Sequence, residues 1–181
     1  MKVLAIYGSP HEDGGSTRVV REVVRGAKDA GHEVVEFYIN KMNLQGCQAC
    51  GACKRNNADC VLQDDLQDYW KHLHECGALI VSSPNYCGQV CGPMITYMNR
   101  HYCLMGTGGV RVHPGIKLVG VFAQGAPQIY EAADKNYDWF LSDFQYRGME
   151  LCAKLVHTGQ MSEEKTNELM QQAYEVGKGL Y

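Results

Sequence analysis

The residues with the most reactive side chains in this 181-residue chain gather in CQACGACKRNNADC, where Cys47, Cys50, Cys53 and Cys60 form a CxxCxxCx6C pattern. Spacing of two residues lets successive thiolates converge on one compact centre. A four-iron cluster takes one thiolate per iron, and a tight CxxCxxC run plus one further cysteine is a recurring way to supply them. Structural zinc more often uses two CxxC pairs about a dozen or more residues apart, so the spacing favours iron-sulfur over zinc. Thiols that carry no metal, or that respond to oxidation, are the third reading. Gly46 and Gly51 would let the segment fold around a centre, and Lys54 and Arg55 could offset its negative charge. Of the remaining cysteines, Cys76, Cys103 and Cys152 read as structural, and Cys87 and Cys91 as small apolar residues.

A second constellation follows the first apolar run. Gly8, Ser9 and Pro10 end that run, Gly14 and Gly15 free the backbone, and Ser16 and Thr17 stand where a helix would begin. A hydroxyl residue there is a good N-cap. A helix N-terminus offers unpaired N–H groups and a positive dipole end, and the hydroxyls of Ser9, Ser16 and Thr17 add neutral donors. Such a loop suits a dianionic phosphate monoester. It is neither a GxxxxGK[ST] loop nor a GxGxxG turn, which disfavours two common nucleotide folds.

The elements that must position these loops alternate. Val3–Tyr7 reads as a buried strand, Arg18–Ala30 as an amphipathic helix, and Glu33–Tyr38 as a second strand. The segment from there to Leu62 has no clear period and is long for a connection, which marks it as functional or disordered. Asp64–His74 reads as a helix, Ala78–Ser83 as a third strand ending at Pro84, and Met94–Tyr102 as a helix. A glycine-containing excursion, Cys103–Pro114, precedes a fourth strand, Lys117–Phe122. A helix from about Gln128 to Tyr146, a fifth strand over Met149–Val156 and a helix over Ser162–Gly177 close the pattern. Five strands alternating with helices predict a doubly wound parallel sheet within one domain, 1–181, with a cysteine-rich insert at about 40–63. The loops GSPHEDGGST, SSPNYCG and AQGAP then lie at strand carboxyl ends, where an open sheet would bind a mononucleotide.

Composition narrows the function classes. A net charge of -3 with interspersed signs gives no basic stripe, which argues against nucleic acid. No apolar run approaches membrane-span length. The first strand begins almost at the first residue, so no signal peptide is expected, and nine cysteines without one predict cytoplasmic thiols or metal ligands. The seven histidines, with no HExxH spacing, read mostly as surface residues. No GxSxG elbow supports a serine hydrolase.

With these loops in view, the chain resembles the NADPH-dependent FMN reductase family of the flavodoxin-like superfamily, and more narrowly its iron-sulfur flavoprotein group. The resemblance implies a flavodoxin-like sheet in the order 2-1-3-4-5. It places FMN phosphate at Ser9, Ser16 and Thr17, and puts Pro10 in the cofactor site with His11 where the family usually has arginine. Pro84, Asn85, Tyr86, Cys87 and Gly88 match the family's SPxYxG segment against the isoalloxazine ring, and Gln124 and Gly125 approach the ring from the fourth strand. The helix after SPxYxG reads ITYMNR, keeping Arg100 of the family's KxFxDR. Cys47, Cys50, Cys53 and Cys60, followed by the acidic pair Asp64 and Asp65, match the group's cysteine loop. The implied activity is electron transfer from NADPH or NADH through FMN, with or without a 4Fe-4S cluster, to a small acceptor or a ferredoxin-like carrier. The acceptor classes are quinone, nitro, azo and flavin. An electron-transfer protein or a redox sensor without NAD(P)H turnover is the alternative. A homodimer or homotetramer is implied, with the cysteine insert and Cys103–Pro114 at the interface.

Overall fold

The computed structural model describes residues Met1–Tyr181. The chain forms β1 (Lys2–Tyr7), α1 (Gly15–Asp29), β2 (Glu33–Tyr38), α2 (Ala52–Asn56), α3 (Leu66–Leu73), β3 (Cys76–Tyr86), β4 (Gln89–Val90) and α4 (Gly92–Arg100). It continues through β5 (Met105–Gly106), β6 (Gly109–Val110), β7 (Lys117–Ala123), α5 (Glu131–Tyr146), β8 (Glu150–His157) and α6 (Glu163–Lys178). The five long strands pair in parallel in the order β2-β1-β3-β7-β8, the flavodoxin-like order expected from the sequence.

β1 is apolar at nearly every position because both of its faces are covered. Val3, Ala5 and Tyr7 pack with α1 and α6, whereas Leu4 and Ile6 pack with α3, α4 and α5. The helical spacing of Val19, Val20, Val23, Val24 and Ala27 buries one stripe of α1 on the sheet. No helix is long and apolar enough to cross a membrane.

Three local expectations change. α1 begins at Gly15 rather than Arg18, and its N-cap is Gly14, with no side-chain capping bond. Ser16 and Thr17 therefore sit inside the first turn instead of capping it. β3 runs on to Tyr86 because a tight turn at Cys87 (φ 54°) and Gly88 (φ 80°) folds β4 back against it. The excursion after α4 contains a small hairpin, β5 with β6.

The seven histidines read mostly as surface residues, but His101 is fully buried. Tyr97 donates to the Tyr69 hydroxyl (2.7 Å), whose oxygen lies 2.8 Å from His101 Nε2, and His101 Nδ1 lies 3.1 Å from the Tyr97 carbonyl. That chain is complete with a neutral ring protonated at Nδ1. Burial, then the Arg147 charge, push its pKa from 6.5 down to about 3. The unfolded state therefore takes up a proton near 6.5 that the folded state refuses, so this contribution is whole above 6.5 and is lost as pH falls toward 3. The limiting slope is about 1.4 kcal/mol per pH unit. Urea unfolding between about pH 7 and pH 5 is expected to show this loss in the native protein and a shallower one in His101→Gln. Parallel pH profiles would contradict the assignment.

Candidate functional site

Parallel strands deliver their carboxyl ends to one edge of the sheet. There the turns after β1, β3, β7 and β8 enclose a cleft of about 340 Å³, within the size range of cofactor pockets. The β1 turn contributes Ser9, His11 and the first turn of α1. The first backbone hydrogen bond of that helix is Arg18 N–H to Gly14 O (2.9 Å), so the N–H groups of Gly15, Ser16 and Thr17 have no acceptor within it. No acidic residue occupies this turn. Ser16 Oγ is buried, borders the cleft and has no hydrogen-bond partner. A buried hydroxyl left this way is costly unless a ligand completes it. Unpaired amides, an unpartnered hydroxyl and a positive dipole end together fit a phosphate monoester.

The other walls are held from behind by Tyr137, which the sequence reading did not single out. Its hydroxyl accepts from Asn85 Nδ2 (2.8 Å) and donates to Gln124 Oε1 (3.0 Å), and its ring stacks on Phe122 with centroids 4.2 Å apart. Burial raises its pKa and keeps the hydroxyl protonated. Asn85 Oδ1 also accepts the Gly88 N–H (3.0 Å), and Gln124 Nε2 donates to Gln128 O (2.7 Å). These two side chains shape the loops, while Pro84 and the half-exposed Tyr86 present surface to the cleft.

The cleft brings together Ser9, His11, Ser16, Pro84, Asn85 and Tyr86, with Gln124 and Gly125 on the wall from β7. Pro10, Thr17, Cys87 and Gly88 do not border it. Thr17 Oγ1 donates to His11 O (2.9 Å), and Ser9 Oγ accepts the His11 N–H (3.1 Å), so both hydroxyls brace the loop. Cys87 is exposed at its turn, Cys91 is buried, and Cys152 is exposed rather than structural.

The four cysteines of the insert line one small cavity with Val61, Leu62 and Tyr102. Its volume is about 20 Å³, and no three histidine, cysteine or acidic groups are grouped to hold a single metal ion. The donor set fits a thiolate-bound cluster, although no cluster-sized space is preformed. Lys54 and Arg55 are turned to backbone oxygens, Lys54 Nζ to Tyr102 O (2.6 Å) and Arg55 to Cys50 O (2.9 Å). Arg100 instead approaches the thiols, with Nε 3.2 Å from Cys60 Sγ. Its guanidinium forms a fully buried pair with Asp64 and donates to Gln45 O (2.7 Å). Asp64 accepts the Gln45 N–H (3.0 Å), and Asp65 accepts the Asn43 N–H (2.6 Å). Burial opposes ionisation of Asp64, but the bonds from Arg100 and the backbone outweigh it and hold the carboxyl below its usual range.

A family model described as NADPH-dependent FMN reductase matches residues 1–133. An iron-sulfur flavoprotein of Archaeoglobus fulgidus is 29% identical over 100 residues, covering 55% of this chain and 45% of that protein. The chain thus matches only about half the length of this curated relative. Among solved structures, an azoreductase from Bacillus anthracis superimposes with a TM-score of 0.78 at 16% identity, covering 98% of this chain and 99% of that one. An NAD(P)H:quinone oxidoreductase from Methanothermobacter marburgensis gives 0.75 at 15% identity, covering 99% and 96%.

Two substitutions separate the roles assigned to these side chains. Ser16→Ala is expected to weaken FMN binding roughly tenfold in a fluorescence titration while leaving the melting temperature nearly unchanged. Equal affinity would remove Ser16 from the phosphate site. Arg100→Leu leaves Asp64 buried without its partner and should cost about 3–5 kcal/mol in urea unfolding. A loss below about 1 kcal/mol, the range of exposed pairs, would contradict the clamp.

Proposed function

This chain belongs to the NADPH-dependent FMN reductase family, and on that premise we propose that it is an FMN-dependent oxidoreductase that takes electrons from NADPH or NADH and passes them to a small acceptor or redox partner. The observation that carries this reading is the buried, unpartnered Ser16 hydroxyl beside the unpaired amides of α1, at the edge of the cleft. When bound, FMN would supply the redox chemistry, taking up and returning electrons singly or in pairs. The chain's own task is to bind and orient. The α1 turn holds the phosphate, Tyr137 fixes the loops of Asn85 and Gln124, and Pro84 and Tyr86 form the wall for a flat ring. No side chain needs to act as acid or base.

The named activities of the structural neighbours support a small-molecule acceptor of the quinone or azo class, and nitro compounds and free flavin are further candidate acceptors. Cys47, Cys50, Cys53 and Cys60 would hold a 4Fe-4S cluster, whose chemistry is single-electron transfer and which suits a ferredoxin-like carrier. The shared cavity and the name of the archaeal relative support that part. A homodimer or homotetramer is supported by exposed aromatic side chains near both sites, Tyr86, Tyr102 and Tyr130.

Protein purified without oxygen should contain about one FMN with about four irons and four sulfides per chain. It should also oxidise NADPH or NADH when a quinone or azo dye is added. FMN without nucleotide oxidation would replace the enzyme by an electron carrier. Absence of iron would leave a flavin reductase with a thiol-rich loop. Cys50→Ala should lose the iron and keep FMN, and retained iron would mean other ligands.

A further inference from the structure

The last strand brings to the cleft a residue that no motif marks. His157 ends β8, and its carbonyl accepts the Gln124 N–H (2.9 Å), which ties the strand end to the loop after β7. Its half-buried ring borders the cleft and lies against the start of α1, where a Cβ on Gly15 would come within 2.7 Å of Nδ1. Only glycine at position 15 lets the ring reach the turn that carries the unpaired amides. Neither Lys nor Arg lines the cleft, so His11 and His157 are its only side chains able to carry positive charge. His11 is exposed, and its backbone is engaged by Ser9 and Thr17. Burial, then the nearby Arg18 charge, lower the pKa of His157 and favour a neutral ring with one N–H to donate.

We propose that His157 is a phosphate-binding residue, donating an imidazole N–H to the phosphate of FMN beside the amides of Gly15, Ser16 and Thr17, and thereby separating FMN from unphosphorylated riboflavin. The inference rests on FMN occupying this cleft, the reading given above. It adds the end of β8 to a phosphate site otherwise built from the turn after β1. A hydrogen bond to a charged oxygen is strong enough to register as at least tenfold in affinity.

The test titrates the native protein, His157→Ala and His157→Gln with FMN and with riboflavin, following quenching of flavin fluorescence. The native protein is expected to prefer FMN. His157→Ala should lose about tenfold in FMN affinity with riboflavin affinity unchanged, and His157→Gln, which keeps an N–H, should recover part of the loss. Unchanged riboflavin binding also reports that the variant cleft is folded. Equal losses for both flavins, or no loss for either, would overturn the assignment. Failure of the native protein to bind either flavin would overturn the FMN reading itself, and the inference with it.

Discussion

The structure depends on one constraint: in a parallel sheet every strand ends at the same edge, and a helix that starts there presents amides with no partner. β1, buried on both faces, fixes where α1 begins. Gly14 caps that helix without a side-chain bond, so the N–H groups of Gly15, Ser16 and Thr17 and the buried Ser16 hydroxyl stay available. The rest of the cleft is arranged around that turn. Tyr137 braces the loops after β3 and β7, and His157 closes the wall from β8. Around this turn the chain leaves the Ser16 hydroxyl unpaired, while the hydroxyls of Ser9 and Thr17 hold the loop in shape.

The cysteine segment is organised by a different interaction. Arg100 and Asp64 form a charge pair without solvent, where desolvation is expensive, and the pair earns its place by the bonds it makes to the segment's two ends. Arg100 reaches Gln45 O before the first cysteine and Cys60 Sγ at the last, and Asp64 accepts the Gln45 N–H. The thiols are thus tied to the end of α4, whose start follows the β3–β4 hairpin beside the cleft. One helix connects the two sites.

Much of this was legible in the sequence because it followed from periodicity. The five long strands and the three loops at their ends came from apolar runs and the residues that stop them, and the strand order from the resemblance those loops carry. What escaped depended on contacts between distant residues. Ser16 and Thr17 looked like equivalent hydroxyls, yet Thr17 is committed to His11 O and Ser16 is not. Lys54 and Arg55 were the nearest cations in sequence to the cysteines, but Arg100 is the one whose guanidinium meets a thiol. Its survival in ITYMNR was visible, while its partner Asp64 was noted only as half of an acidic pair. Tyr137 and His157 carried no local signal, since a tyrosine on an amphipathic helix and a histidine at a strand end are ordinary residues until the fold places them. His101 was not set apart from the other histidines for the same reason, although it completes a buried polar chain with Tyr69 and Tyr97.

The most direct measurement of the central claim is an amide proton–nitrogen correlation spectrum of the ligand-free protein titrated with FMN. Gly15, Ser16 and Thr17 should show the largest downfield amide shifts, as expected when N–H groups with no acceptor gain a charged phosphate oxygen. FMN binding that left these three amides unmoved while others shifted would contradict the account and put the phosphate elsewhere.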